Sequence, residues 1–461
     1  MNWFEQAVSR AGLSPLAQDD AGRQLSYDAA LAAAHHMRQR FGAEKRLAVV
    51  LAANTVPCLE TYLGLLAAGH AVILLGADTG AAVVADILER YQPEVLIHGA
   101  DGELSVTERS RPLGGLHPGL SVLLSTSGST GSPKIARFTD GMMGANADSI
   151  ATYMALDAKE CALAHLPLQY SFGMSVVHSH IAVGARLLLT RRSVMEPGFW
   201  AFAERATSIY GVPFHFEMME RLRFERRPLA MLKTLAQAGG RMPVERTKHL
   251  AALARDKGWR LVVMYGQTEA GPRIAYLPAE DALEHAGRIG RAVPGVSIEL
   301  VDEAGKPVAV GQEGELIVHS PSVMLGYAMT RADLGKPDEM GGRLATGDMG
   351  AVEPSGYIRI SGRRMDFIKL HGNRVNMAEV ERRLAGVGIE ASCVGIDDQL
   401  WVVLEGTRTA AEIESVRAEA VRLFGFSPRA MAVVAVPAIP RSAAQKVLYK
   451  ELLGMLSGTR D

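Results

Sequence analysis

Leu124-Ser-Thr-Ser-Gly-Ser-Thr-Gly-Ser-Pro-Lys134 follows an apolar run, Ser121 to Leu124, and gathers hydroxyls (Ser127, Ser129, Thr130), glycines (Gly128, Gly131) and one lysine. Small residues let a backbone wrap closely around a polyanion, and hydroxyls with free N–H groups then donate to phosphate oxygens. Lys134 adds a point charge on a flexible stem. The spacing is not the GxxxxGK[ST] of the P-loop. A strand before the loop and an apolar-periodic segment after it argue against a flexible Ser/Gly linker.

On either side of this loop the chain alternates between strand and helix. On the N-terminal side a helix over residues 26–40, capped by Ser26, is followed by a strand at Leu47–Ala53 and a helix at Pro57–Ala68. A strand at His70–Leu75, a helix at Ala81–Arg90 and a strand at Pro93–His98 complete that side. On the C-terminal side a helix at Met142–Met154 would pack behind the loop. Strands are expected at Cys161–Pro167, Ala185–Thr190, Ser208–Val212, Thr234–Gly239 and Arg260–Met264, with helices between them. This is the pattern of mostly parallel sheets covered by helices, in which ligands lie beyond the carboxyl ends of strands. From Gly287 short β-rich runs broken by Gly and Pro suggest a small antiparallel unit, and a compact α+β tail comes after it.

At 461 residues the chain exceeds one core and should divide into at least two domains. Its 49 basic and 50 acidic residues nearly cancel, which argues against broad attraction to nucleic acid or anionic membrane. Cys58, Cys161 and Cys393 form neither a metal-ligand spacing nor a disulfide framework. With no basic–apolar leader and no run of membrane-spanning length, a soluble cytoplasmic protein is expected.

Later segments carry further signals in a fixed order: Tyr265-Gly-Gln-Thr-Glu269, Thr346-Gly-Asp348, Gly362-Arg363, Lys369-Leu-His-Gly372 and Lys446. Together with the loop at 124–134 they resemble the motifs of the adenylate-forming superfamily, which comprises acyl- and aryl-CoA ligases, peptide-synthetase adenylation domains and luciferases. The resemblance runs from about residue 20 to the end. It implies a large N-terminal α/β domain, residues 1–363, of mostly parallel sheets plus the small β unit. A small mobile α+β C-terminal domain, residues 364–461, would carry Lys446.

The resemblance implies roles residue by residue. Thr126, Ser127, Gly128, Ser129, Thr130, Gly131 and Lys134 would hold the β- and γ-phosphates of ATP. Thr268 and Glu269 would sit at the α-phosphate, with Glu269 as the Mg2+ ligand. Tyr265 would stack on adenine, with Gly266 and Gln267 beside it and Gly239, Gly240 and Arg241 across the base. Asp348 and Arg363 would meet the ribose. Lys446 would be the catalytic cation. Tyr170, Ser171, Phe172 and Gly173 occupy the motif bordering the acid; His215 and Arg273, four beyond Glu269, either border the acid pocket or are satisfied structural residues, the better reading for His215; and Lys369 and Gly372 would line the thiol's path. Phe172, Met174 and Phe214 suit an aryl or medium acyl group, and no aspartate between Gln169 and His180 offers itself to an α-amino group.

Two positions depart from the family pattern: Ile135 stands where glycine is usual, and Met365 where a hinge Asp or Lys is usual. The expected activity is formation of an acyl-adenylate with release of pyrophosphate, then transfer to the thiol of CoA or of a carrier protein's phosphopantetheine. An amine acceptor is the alternative. A retired ligase scaffold that only binds would have no need of Lys134, Glu269, Asp348 and Lys446 together.

Overall fold

The structure, a computed structural model, describes residues 1–99, 104–126, 134–363, 367–370, 373–396, 398–424, 430–441 and 447–457. Two sheets dominate. In the seven-stranded sheet, Leu120–Thr126, Ala71–Gly76, Leu47–Ala52 and Val95–His98 run parallel at the centre. In the nine-stranded sheet, Arg260–Tyr265, Thr234–Gln237, Ser208–Gly211, Cys161–Ala164, Arg186–Leu189 and Pro15–Asp19 run parallel. The expected mixed α/β fold with mostly parallel sheets is the fold found.

Helices between the sheets face apolar surface on both sides, which explains their composition. All twelve residues of Ser171–Ala182 are buried, and nearly all of Val56–Ala67. One core joins the facing sides of both sheets, from Val50 and Leu74 to Ala162 and Met264. Ser26 caps the helix Tyr27–Phe41 as expected, its hydroxyl accepting from the Ala29 N–H at 3.1 Å. The sequence reading had no counterpart for the helix Trp3–Ser9 or the strands Pro15–Asp19 and Gln24–Ser26, which are too short to show a period.

The segment directly after the glycine-rich loop had no assignment in the sequence reading. Lys134–Thr139 is a strand that returns antiparallel along Leu120–Thr126. Thr126 and Lys134 face each other in this hairpin, so the described ends of the loop are neighbours, while residues 127–133 lie outside the described residues. Ile135 is fully buried in the strand, packed with Ala328 and Leu334, which accounts for an apolar residue at this position. The helix Asp140–Met154 begins only afterwards, capped by the Thr139 hydroxyl.

The same strand receives a distant segment on its other edge. Gly326–Ala328 pairs with it, and Arg137 anchors the chain on both sides of that short strand. The Arg137 side chain is fully buried and donates to the carbonyls of Lys336 at 2.7 Å and Leu325 at 3.3 Å, and to Glu339 Oε2 at 2.6 Å.

The small β unit is a four-stranded antiparallel sheet of Ser297–Val301, Gly314–His319, Arg343–Val352 and Ile358–Arg363. Beyond it, Ser392–Ile396, Gln399–Glu405 and Met431–Val436 form a three-stranded sheet. Their cluster of Leu384, Leu400, Val402 and Met431 is built from residues of this C-terminal region. No described helix is long and apolar enough to cross a membrane.

The Arg137 arrangement predicts a stability effect. Arg137→Met keeps the stem but strands several carbonyls, and urea denaturation should show a loss of about 2–3 kcal/mol. Glu339→Gln, at a side chain 43% exposed, should cost less than half as much.

Candidate active site

A cleft of about 720 Å³ opens at the carboxyl ends of the central strands of the nine-stranded sheet. Three loops at such ends contribute to it: Tyr170–Phe172, Ala238–Met242 and Gly266–Glu269. Lys134 comes from the hairpin, Tyr327 from the strand beside it, and Thr346, Asp348 and Arg363 from the small sheet. Residues more than two hundred positions apart therefore share one wall.

Lys134, Tyr327 and Glu269 form one end. The Lys134 ammonium lies 5.4 Å from the centre of the Tyr327 ring, and the Tyr327 hydroxyl donates to Glu269 Oε1 at 2.6 Å. Burial raises the Tyr327 hydroxyl pKa, and the Glu269 carboxylate adds to the effect, so the phenol stays a donor. Thr268 Oγ1 lies 2.9 Å from Ser171 Oγ, which ties the turn to the start of the buried helix. Tyr327 was not singled out in the sequence, because nothing local marks a tyrosine that reaches the site by pairing with a remote strand.

The other end converges on Asp348, which is 5% exposed. Its Oδ2 accepts from the Tyr265 hydroxyl and from Gln267 Nε2, the latter at 2.9 Å. Arg363 Nε lies 3.3 Å from Oδ1, because Asp348 and Arg363 are cross-strand neighbours in the small sheet. Thr346 supports the strand at this point: its hydroxyl accepts from the Asp348 N–H and donates to the Leu316 carbonyl. Burial, reinforced by the Asp348 charge, raises the Tyr265 pKa well above that of a free phenol. The Tyr265 hydroxyl is thus committed to a carboxylate, while the residue itself lines the cleft.

Two glycines are required by close approach. A side chain on Gly266 would put its Cβ 1.6 Å from the Pro272 carbonyl oxygen, a backbone atom that cannot swing away. Gly239 has φ +76°, and its Cβ would fall 2.3 Å from the Tyr170 hydroxyl oxygen. Gly240 and Arg241 complete that loop on the cleft wall, with Gln237 Nε2 donating to the Gly240 carbonyl at 2.8 Å.

The third side is aromatic. Tyr170, Ser171 and Phe172 line it, with Arg273 lying over the Phe172 ring. Gly173 and Met174 do not reach the cleft; both are buried in the helix Ser171–Ala182. Phe214 corrects the sequence expectation. It lies on the first turn of the helix Pro213–Arg221, is 59% exposed, and is absent from the cleft wall. The turn directs His215 inward instead, where its Nδ1 accepts from the Val212 N–H at 3.2 Å and its ring meets His165. Burial lowers the His215 pKa, as befits a structural, neutral imidazole.

Several expected site residues, Ser127, Gly128, Ser129, Thr130, Gly131, Gly372 and Lys446, lie outside the described residues, as does Met365. Thr126 ends its strand at the loop, and Lys369 pairs with Arg374 in a two-stranded ribbon.

Comparison with known proteins agrees with this geometry. The AMP-binding enzyme family profile matches residues 117–328. The chain is 30% identical over 364 residues to a feruloyl-CoA synthase of Amycolatopsis sp, covering 74% of this chain and 70% of that protein. The O-succinylbenzoate coenzyme A synthetase of Bacillus subtilis, solved with AMP, superposes with a TM-score of 0.78 at 21% identity over 98% of both chains. ATP-bound MatB of Rhodopseudomonas palustris superposes with a TM-score of 0.80 at 19% identity, over 100% of this chain and 99% of that one. The ordered motifs, the shared cleft and the sequence relationship together place the chain in the AMP-binding enzyme family of the adenylate-forming superfamily.

Proposed function

We propose that the protein is an AMP-forming acid–thiol ligase: it activates a small carboxylic acid with ATP and passes the acyl group to a thiol. The observation that carries this reading is the meeting, in one cleft, of Lys134, the Thr268–Glu269 turn and the braced carboxylate of Asp348. These are the contacts a triphosphate, a reacting α-phosphate and a ribose need, spread along one wall.

In the first half-reaction a carboxylate oxygen of the acid attacks the α-phosphorus of ATP. The bond from that phosphorus to the bridging oxygen of the β-phosphate breaks, leaving acyl-AMP and pyrophosphate. Lys134 and the loop before it hold the departing phosphates, and Thr268 donates at the α-phosphate. Lys446 enters from the C-terminal domain, residues 364–461, to stabilise the charge developing at phosphorus. In the second half-reaction a thiol sulfur attacks the acyl carbon, its proton is lost, and AMP leaves. The small domain turns between the two steps so that Lys369 and Gly372 border the thiol's path.

Glu269 and Asp348 are the acidic residues on the cleft wall, and no cluster of three metal-ligating side chains exists among the described residues. That suits Mg2+, which is held by one or two carboxylates together with phosphate oxygens and water. Tyr327 occupies one oxygen of Glu269 and orients the other for the ion. Bound there, Mg2+ would offset the charge of the triphosphate.

Asp348, fixed by Tyr265 and Gln267, accepts the ribose hydroxyls with Arg363 beside it, and Gly239, Gly240 and Arg241 lie along the adenine. Tyr170 and Phe172 give the acid an aromatic wall that suits aryl or medium acyl groups. CoA and a carrier protein's phosphopantetheine present the same reactive arm, and either thiol fits this reading. Three unpaired cysteines, Cys58, Cys161 and Cys393, are in keeping with a reducing cytosol.

The test is pyrophosphate release with ATP, Mg2+ and a panel of aryl and medium-chain acids, with and without CoA or a phosphopantetheinylated carrier protein. Acid-dependent pyrophosphate, with AMP and thioester appearing only when a thiol is present, is the expected result. ADP formation, or turnover of ATP that no acid stimulates, would overturn it. Lys446→Ala should slow acyl-AMP formation roughly 100-fold, yet convert supplied acyl-AMP to thioester at close to the normal rate.

Asp348→Ala should raise the KM for ATP roughly tenfold or more and shift the KM for the acid less than about threefold, because it removes the ribose acceptor and unpairs Tyr265 and Gln267. Initial rates varied in each substrate separately check this split.

A further inference from the structure

The segment from Ser322 to Ala328 ties the Thr268–Glu269 turn to the hairpin that carries Lys134. Its first half follows the turn: the Ser322 hydroxyl donates to the Ala270 carbonyl at 3.1 Å, and the Met324 N–H to the Glu269 carbonyl at 2.9 Å. Its second half joins the seven-stranded sheet, where Gly326, Tyr327 and Ala328 stand opposite Arg137, Ala136 and Ile135. The Leu325 N–H donates to the Arg137 carbonyl at 2.8 Å, and the Tyr91 hydroxyl to the Ala328 carbonyl at 2.9 Å. Tyr327 therefore stands on backbone that is fixed on both sides.

One side chain on this backbone meets two opposite charges in two different ways. Its hydroxyl donates to Glu269 Oε1 at 2.6 Å, and its ring centre lies 5.4 Å from the Lys134 ammonium. All three residues line the cleft. The Glu269 carboxylate has no other hydrogen bond or ion pair among the described residues. A carboxylate on a long stem gives up rotamer freedom when it is fixed, and Mg2+ demands its oxygens in near-octahedral directions. An ammonium on a four-carbon stem is equally loose, and the negative face of an aromatic ring is a seat for it. The phenol can serve both because the two contacts use different parts of it, the oxygen and the ring.

We infer that Tyr327 is a positioning residue with two separable roles: its hydroxyl aims Glu269 at the metal ion, and its ring seats Lys134 for the phosphates. This rests on the ATP- and Mg2+-binding part of the ligase reading above. It makes a single side chain the link between the metal contact from one large sheet and the phosphate contact from the other.

The test is calorimetric binding of ATP in EDTA and in excess Mg2+, where the ratio of the two dissociation constants measures what the metal adds. In Tyr327→Phe the ratio should fall about tenfold, because loss of the group that orients a ligating carboxylate weakens the metal by such factors. The dissociation constant in EDTA should stay within about twofold, since the ring remains. Tyr327→Leu should lose the same metal contribution and also bind ATP about threefold more weakly in EDTA, as the seat of Lys134 has gone. In a Glu269→Ala background, Tyr327→Phe should change the ratio by less than about twofold, because the two residues then have nothing to couple.

Weakening of ATP by the same factor with and without Mg2+ in Tyr327→Phe would overturn the metal role, as would an effect of that substitution on the ratio that persists without Glu269. Tighter binding to Tyr327→Leu in EDTA would show that the ring withholds Lys134 from the phosphates and would overturn the seating role. Thermal melting establishes that the variants fold, and Tyr327→Met replaces Tyr327→Leu if it does not. Native protein that binds ATP in neither condition overturns this inference and the ligase reading together. The expected split in binding without any acid-dependent pyrophosphate overturns the ligase reading alone.

Discussion

A guanidinium without access to solvent fixes the end of the cleft that Lys134 lines. Arg137 sits on the strand that begins with Lys134, and its donors hold the carbonyls of Leu325 and Lys336 together with the Glu339 carboxylate. Its two terminal nitrogens are bonded while Nε has no partner among the described residues, and each bond lost would leave a further buried polar atom unpaired. Satisfying it brings the chain from Leu325 to Glu339 against the hairpin and seats the strand Gly326–Ala328 in register with residues 135–137. Tyr327 thereby arrives beside Lys134 and Glu269. The position of three cleft-lining side chains depends on the hydrogen-bonding needs of a fourth that none of them resembles.

Asp348 shows the complementary device, in which a carboxylate is held before any ligand meets it. Tyr265 and Gln267 come from one turn and Arg363 from the adjacent strand, while Thr346 fixes the backbone beneath. Donors in a partly dry site polarise one another and need little reorganisation when a ligand arrives. The arrangement also explains why Tyr265, Gln267 and Asp348 form one unit although about eighty positions separate them: the small sheet docks its strand segment Thr346–Asp348 onto the Tyr265–Glu269 loop.

The aromatic side of the cleft is organised differently. There the helix Ser171–Ala182 is buried on every face, so its first turn can present Phe172 rigidly to the cleft while the rest of the helix serves the core. Phe214 belongs to a helix with one exposed face and falls on that face. Arg273 enters this side because Gly266 lets the hairpin close tightly against Pro272.

The class of the fold and the family to which the chain belongs were legible in the chain alone. Alternating apolar runs and caps such as Ser26 are local signals, and a glycine- and hydroxyl-rich loop after a strand carries its chemistry in its own composition. Which distant residues join them was settled by packing. The strand Lys134–Thr139 went unassigned because six residues show no period, and its pairing with Gly326–Ala328 is set nearly two hundred positions away. Tyr327 gave no sign in the sequence for the same reason. Phe214 and Met174 were misplaced for another: apolar character records that a side chain avoids water, not which surface it meets, and an exposed helix face or a buried core can each take it. Burial of Arg273 is likewise a property of packing around it, set by Phe172 and the Gly266 turn together.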